Sequence, residues 1–269
     1  MPRAWRLLVH GEASGPWNMG VDEALLASAI EGGRPTLRCY RWNGPWLSLG
    51  YGQRLGAERL AACDGAGVGV VRRATGGKAV LHGGDFTYAI AAPEAVLPPG
   101  LRATYELVGT ALRTALAALG IDARPTPAAA APAPRPGTFD CFSEPAGEEL
   151  CVAGRKLVGS AQRRTRGGVL QHGSMRVCPD PAPIRRAAGL EAGVATSLRE
   201  LAFEHSMQTL EEACVAAFSR VLDARFESGS LTAAEERIAR ERTVAHRGDP
   251  LAVPGFAPRG ASRVSPARR

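Results

Sequence analysis

Two lysines are the first chemical signal in this chain. Of its 33 Lys and Arg residues, only Lys78 and Lys156 are lysines. An ammonium is a compact, tunable charge on a thin stem, and a planar guanidinium is not. A lysine kept against such a bias marks a place where that difference counts. Lys78 lies in Val71–His82, beside Arg72, Arg73, Thr75, Gly76, Gly77 and His82; Lys156 lies in Gly154–Gln162. The paired glycines let a backbone turn tightly and aim N–H groups at a ligand. The segment is not a Walker phosphate loop: Arg72 stands where its first glycine belongs, and Ala79 replaces the Ser or Thr after Lys78. A plain hairpin would explain the turn but has no use for Arg72, Arg73 or His82.

The thiols are Cys39, Cys63, Cys141, Cys151, Cys178 and Cys214, with no CxxC pair. No metal is expected from such spacing, nor a disulfide framework. A thiolate is the reactive form of cysteine, and a neighbouring ammonium favours it. Cys141, in Asp140-Cys141-Phe142-Ser143, follows a Pro/Ala-rich stretch and precedes the cationic segment of Lys156, so it is the candidate nucleophile. Cys151, between Leu150 and Val152, reads as a structural residue of a strand. Charge stabilisation requires Cys141 Sγ and Lys156 Nζ within roughly 8 Å. A further polar run, Gln171-His172-Gly173-Ser174, stands where a strand centre is usually apolar. It lines a pocket or belongs to a half-exposed edge strand.

These residues need a scaffold. The pattern predicts strands at Trp5–His10, Thr36–Trp42, Trp46–Tyr51, Val68–Arg73, Ala79–His82, Asp85–Ala91, Glu149–Val152, Lys156–Arg163 and Gly168–Val177. In the eighth of these, Lys156, Val158, Ser160 and Gln162 share a face. Helices are predicted from Asn18, as cap, to about Glu31, near Ala57–Cys63, and over Leu101–Leu119. Two more open with Thr209/Glu212 and Thr232/Glu235 capping boxes, and short helical segments follow Pro181 and Thr196. Prolines between Pro125 and Pro136 exclude a helix there and predict an exposed, extended, mobile loop. Strands grouped before and after a helix, without βαβ alternation, argue for an α+β fold with a mixed or antiparallel sheet.

The formal charge of +7 suggests nucleic acid until it is located. Eight arginines between Arg237 and Arg269, against Glu241 and Asp249, carry nearly all of it, so the rest of the chain is close to neutral. Residues 1–228 are expected to form the catalytic domain, and 229–269 a C-terminal helix and a basic tail, disordered beyond Arg247. No apolar run spans a bilayer, and the N-terminus lacks a signal-peptide core. A cytoplasmic protein is expected, acting without membrane or nucleic acid.

Together, Arg72–His82, Phe86-Thr87-Tyr88, Cys141-Phe142, Gly154–Gln162 and Val169–Ser174 resemble the biotin/lipoate protein ligase superfamily, over roughly residues 5 to 225. Asn18–Leu25 and Ser48–Gln53 add to the likeness. The resemblance implies that superfamily's α+β catalytic-domain fold, with mixed or antiparallel sheets flanked by helices. Within it, the chain resembles the cysteine-dependent octanoyltransferases. Cys141 stands at their nucleophile position, Lys78 follows the glycine pair where ligases tend to carry a small residue, and Ser160-Ala161-Gln162 with Gln171-His172-Gly173 is their wording.

The resemblance implies transfer of octanoate from acyl carrier protein to a lipoyl-domain lysine through a thioester on Cys141, feeding lipoate synthesis. The acceptor would be a glycine cleavage H protein or a 2-oxoacid dehydrogenase subunit. Lys156 would stabilise the thiolate or the tetrahedral oxyanion. Substrate would be bound by Arg72, Arg73, Thr75, Gly76, Gly77, Lys78, His82, Gly159, Ser160, Ala161, Gln171, His172 and Gly173. No cofactor and a monomeric enzyme are expected. Two other readings use the same residues: an ATP- and Mg-dependent lipoate ligase with Lys156 on the adenylate, and a non-catalytic acyl- or partner-binding module.

Overall fold

The structure, a computed structural model, describes residues 2–126, 139–143, 149–190 and 195–251. The Pro/Ala run expected to be an extended mobile loop lies largely outside these residues, as does the tail from 252 onward.

The chain opens with strand β1 (Arg3–Ala13), helix α1 (Gly15–Ile30), and strands β2 (Thr36–Trp42) and β3 (Trp46–Leu49). Helix α2 (Ala57–Gly65), β4 (Gly69–Arg72), β5 (Val80–His82), β6 (Asp85–Pro93) and helix α3 (Leu101–Ala118) follow. After β7 (Arg124–Pro125) come β8 (Leu150–Val152), β9 (Arg155–Lys156), β10 (Val158–Thr165) and β11 (Gly168–Arg176). The last described elements are α4 (Ala182–Ala187), α5 (Met207–Val221), β12 (Ala224–Ser228) and α6 (Ala233–Gly248).

The main sheet has the order β10-β11-β6-β2-β1-β12. It is mixed: β1 runs parallel to β2 and β12, while the pairings from β2 through β6 and β11 to β10 are antiparallel. Its central strands β2, β6 and β11 are buried almost throughout because both faces are covered. Leu37, Cys39, Phe86, Tyr88 and Ile90 join a core with Val108, Leu112 and Leu116 of α3 and Leu210 and Phe218 of α5. The alternate residues Tyr40, Trp42, Ala89 and Ala91 join another with Met19, Val21 and Leu25 of α1 and Ala239 of α6. A three-stranded sheet, β4-β3-β5, and a second, β7-β8-β9, sit beside the main one and carry the turns that form the site.

Four sequence expectations change. Helix α1 is capped by Ser14, whose Oγ accepts from Trp17 N, and not by Asn18. Asn18 is buried one turn in, where its amide donates to the Ala13 and Arg41 carbonyls and accepts from Arg38. Helix α5 is capped by Ser206, whose Oγ accepts from Thr209 N at 3.1 Å, so the Thr209/Glu212 box does not form. The Thr232/Glu235 box on α6 does. The strand expected over Lys156–Arg163 breaks at Leu157: β9 pairs with β8, and β10 enters the main sheet. Finally, α6 packs with the body rather than forming a separate C-terminal unit. Arg6 and Glu235 form a buried ion pair at 2.7 Å, and a Cβ on Gly20 would stand 2.7 Å from the Ala239 carbonyl. The helix continues to Gly248, past the point where disorder was expected, and Arg72 Nε donates to Leu251 O.

Candidate active site

The turn bearing Cys141 is tied to the strand that follows the paired glycines. Ala79 N donates to Phe139 O at 2.9 Å, and Cys141 N donates to Ala79 O at 2.8 Å. Asp140 shapes the turn: Oδ1 accepts from Phe142 N, and Oδ2 takes a guanidinium N–H from Arg185 at 2.8 Å. Phe142 is buried between two cations, Lys156 Nζ at 5.1 Å and the Arg176 guanidinium at 5.2 Å from its ring centroid.

Lys156 reaches the same point from β9. It is 1% exposed, and its ammonium sits 3.2 Å from Cys141 Sγ, 2.7 Å from Cys141 O and 2.5 Å from Glu149 Oε1. Three N–H donors therefore meet three acceptors. Burial works to lower the Lys156 pKa, but Cys141 and Glu149 more than offset it, and the net direction is upward. The charge is kept at neutral pH. Gly159 on β10 makes the approach possible: a Cβ there would stand 3.3 Å from Cys141 Sγ and 3.4 Å from Lys156 Cε.

Two cavities meet at Cys141, Gly77 and Ser160. The narrower has apolar walls from Met19, Trp42, Val80 and Ala161 and polar walls from His82 and His172. The wider runs past Lys78, Tyr105, Leu112, Glu149 and Gln171. The turn between them needs its glycines. Gly77 has φ +90°, and its carbonyl would lie 1.9 Å from a Cβ on Gly50. Arg73 clamps this turn by donating to Gly76 O, Lys78 O and Ser48 O.

The polar wall is built from two buried Asp–His–hydroxyl chains. Asp22 meets His172 Nδ1 at 2.8 Å, and His172 Nε2 meets Thr75 Oγ1 at 2.6 Å. Burial works to raise the Asp22 pKa, but Arg38 and His172 pull it below the ordinary carboxylate range, so Asp22 accepts. His172 Nδ1–H then donates, and Nε2 accepts from the threonine. Burial keeps His172 below its ordinary value, that is, neutral. The second chain joins Asp85 to His82 at 2.7 Å and His82 to Ser48 at 2.8 Å, with Ser174 also donating to Asp85. Trp42 stacks on His82 at 3.9 Å between centroids.

Cys141 and Lys156 are thus in contact, well inside the roughly 8 Å set by screening of charge. His82, Gly159, Ala161, His172 and Gly173 border the narrower cavity, with Arg73; Lys78 and Gln171 border the wider; Gly77 and Ser160 border both. Three expected substrate contacts are corrected. Arg72 faces away from both cavities, because successive residues of β4 point oppositely, and donates to the Gly50, Tyr51 and Gln53 carbonyls. Thr75 stands behind His172, and Gly76 serves through the carbonyl held by Arg73. Sequence reasoning missed Glu149, Asp22 and Asp85. Asp22 alone left a trace, as an acid between Val21 and Leu25 on the apolar side of a helix.

A family model, the lipoyl protein ligase A/B catalytic domain, matches residues 14–219. The octanoyltransferase LipM of Kyrpidia tusciae is 38% identical over 259 residues, covering 89% of this chain and 94% of that protein. The octanoyltransferase LipM of Staphylococcus aureus is 33% identical over 272 residues, covering 93% and 98%. Among solved structures, one of a bi-partite lipoate protein ligase and its E2 lipoyl domain from Thermoplasma acidophilum shares the fold, with a TM-score of 0.69 at 23% identity, covering 90% of this chain and 92% of that one. By the extent of the family match and the identity to these relatives, the chain belongs to the lipoyl protein ligase A/B catalytic domain family.

Proposed function

We propose that the protein is an octanoyltransferase of lipoate biosynthesis that works through an acyl-enzyme on Cys141. The observation that carries this reading is the Lys156 ammonium 3.2 Å from Cys141 Sγ, where two cavities join. The thiolate attacks the thioester carbonyl of an octanoyl-acyl carrier protein. A new C–S bond forms to Cys141, the donor C–S bond breaks, and the carrier leaves as a thiolate that takes up a proton. The octanoyl chain lies in the narrower cavity against Met19, Trp42 and Val80. The ε-amine of a lipoyl-domain lysine then enters by the wider cavity and attacks the new thioester. Collapse expels Cys141 as thiolate, and the proton shed by the amine balances the one taken by the carrier.

Lys156 keeps its proton through both steps. It pairs with the thiolate before attack and donates to the oxyanion during it; such a donor contributes about 10²–10³ in rate. Thioester exchange is nearly isoenergetic and amide formation is downhill, so no ATP is required. A cytoplasmic monomer belongs to the same proposal. The location is supported by six cysteines that are all free, as suits a reducing compartment. The test is transfer between purified octanoyl-carrier protein and a lipoyl domain. Product without nucleotide, lost in Cys141→Ser, is expected. Product only with ATP, Mg and free acid would replace this reading with the ligase.

A further inference from the structure

The Cys141–Lys156 pair does not account for Glu149. Its Oε1 accepts from Lys156 Nζ at 2.5 Å, its side chain is 16% exposed, and it borders the wider cavity. With Cys141 as thiolate, the form that attacks, Lys156, 1% exposed, faces two anions, the sulfur and the Glu149 carboxylate. Acylation removes one of them. The thioester sulfur is neutral, and a buried ammonium is strongly destabilising unless another group balances it. Glu149 is in place to do so.

We propose that Glu149 is a positioning residue that keeps Lys156 charged and aimed at the acyl group while the thioester stands on Cys141. The proposal rests on the acyl-enzyme reading above. It gives the two half-reactions different needs. During acylation the thiolate itself holds the ammonium, and Glu149 is dispensable. During deacylation the neutral thioester holds nothing, and only the carboxylate keeps the cation ready for the oxyanion that forms when the amine attacks. At that point the carbonyl π pair moves to oxygen and the N–C bond forms. The intermediate then expels Cys141 as thiolate, Lys156 regains its second anion, and the amine nitrogen gives its proton to solvent.

The experiment follows each half separately, at saturating acceptor, in wild type, Glu149→Gln and Glu149→Asp. Acylation is read by intact mass after mixing with octanoyl-carrier protein. Deacylation is read as octanoyl-lipoyl-domain formed from isolated octanoyl-enzyme. Glu149→Gln should acylate within about 3-fold of wild type and deacylate at least about 10-fold more slowly. Glu149→Asp, which keeps the charge, should recover deacylation to within about 3-fold of wild type. Equal loss in both halves, a loss confined to acylation, or an Asp variant as slow as Gln would overturn the proposal. A wild type that forms no octanoyl-enzyme would instead overturn the acyl-enzyme reading beneath it.

Discussion

The reactive end of the site and the polar wall beside it are built in opposite ways. At the reactive end, Cys141 sits on a turn, Lys156 on a two-residue strand and Glu149 just before β8. The sulfur and the carboxylate converge on the Lys156 ammonium. In the wall, Asp22 and Arg38 are fully buried on α1 and β2, and Asp22 alone serves Arg38, Tyr40 and His172. The same elementary unit, a carboxylate holding a cation or an imidazole, does chemistry in one place and holds α1 to the sheet in the other. Cys151 marks the boundary. Its backbone pairs with Lys156, yet its thiol meets Thr126 and is pushed up by burial. Adjacency to the lysine is therefore not enough; its ammonium must be aimed at the sulfur.

If the two regions differ in this way, mutations should separate activity from stability. The largest effect is expected for Cys141→Ala. Octanoyl transfer should fall by about 10³-fold or more with the melting temperature nearly unchanged; residual transfer close to wild type would remove Cys141 from the mechanism. Next, Asp22→Ala strands the Arg38 guanidinium and should cost about 3–5 kcal/mol in chemical denaturation. A loss under about 1 kcal/mol would show that the wall is not structural. Lys156→Arg comes third. A planar fork cannot place three donors on these acceptors beside Gly159, and transfer should drop at least about 10²-fold. Lys78→Arg should cost only about 3-fold, because Lys78 borders the wider cavity while the contact to Cys141 Sγ is made by Lys156. Equal losses at the two lysines would erase the distinction between them.

The wall also predicts a pH dependence of stability. His172 is held below its ordinary value by burial, and His10 is lowered in the same way from 6.5 to about 4. A lowered folded value means that the unfolded chain binds the proton first. Stability is therefore fully present above about pH 6.5 and is lost as the pH falls toward the folded values. Thermal melts should show a midpoint that drops between about pH 7 and pH 5, with a shallower slope in His172→Gln. A midpoint that stays level in wild type would contradict the neutral His172.

The contact between Cys141 and Lys156 was legible in the sequence because residue type itself was informative. A chain with two lysines makes each one conspicuous, and Cys141 was the cysteine set beside a cationic, glycine-bearing segment. It did not carry Glu149, which stands next to Glu148 and reads as one of many solvated acids. Arg72 and Arg73 look interchangeable in one dimension; Arg72 ends β4 and turns to the loop around Gly50, while Arg73, just past the strand, borders the cavity. The break at Leu157 was hidden because its apolar, alternating pattern continues across the bend from one sheet to the next. β12 is five residues long, and of its residues only Ala224 is fully buried, so its pairing with β1 left too weak a periodicity to read. The mixed sheet and its helical layers followed from strong periodic segments such as Leu101–Leu119, whose buried face is that of α3.

The central claim is that the acyl group rests covalently on Cys141 between donor and acceptor. Mixing the protein with octanoyl-carrier protein alone, without acceptor or nucleotide, and mapping the product by peptide mass spectrometry tests it directly. The expected result is an octanoyl increment on the Cys141 peptide that disappears on adding a lipoyl domain and is absent in Cys141→Ser. Turnover with Cys141 unmodified throughout, or an increment on Cys151 or Cys178 instead, would contradict it.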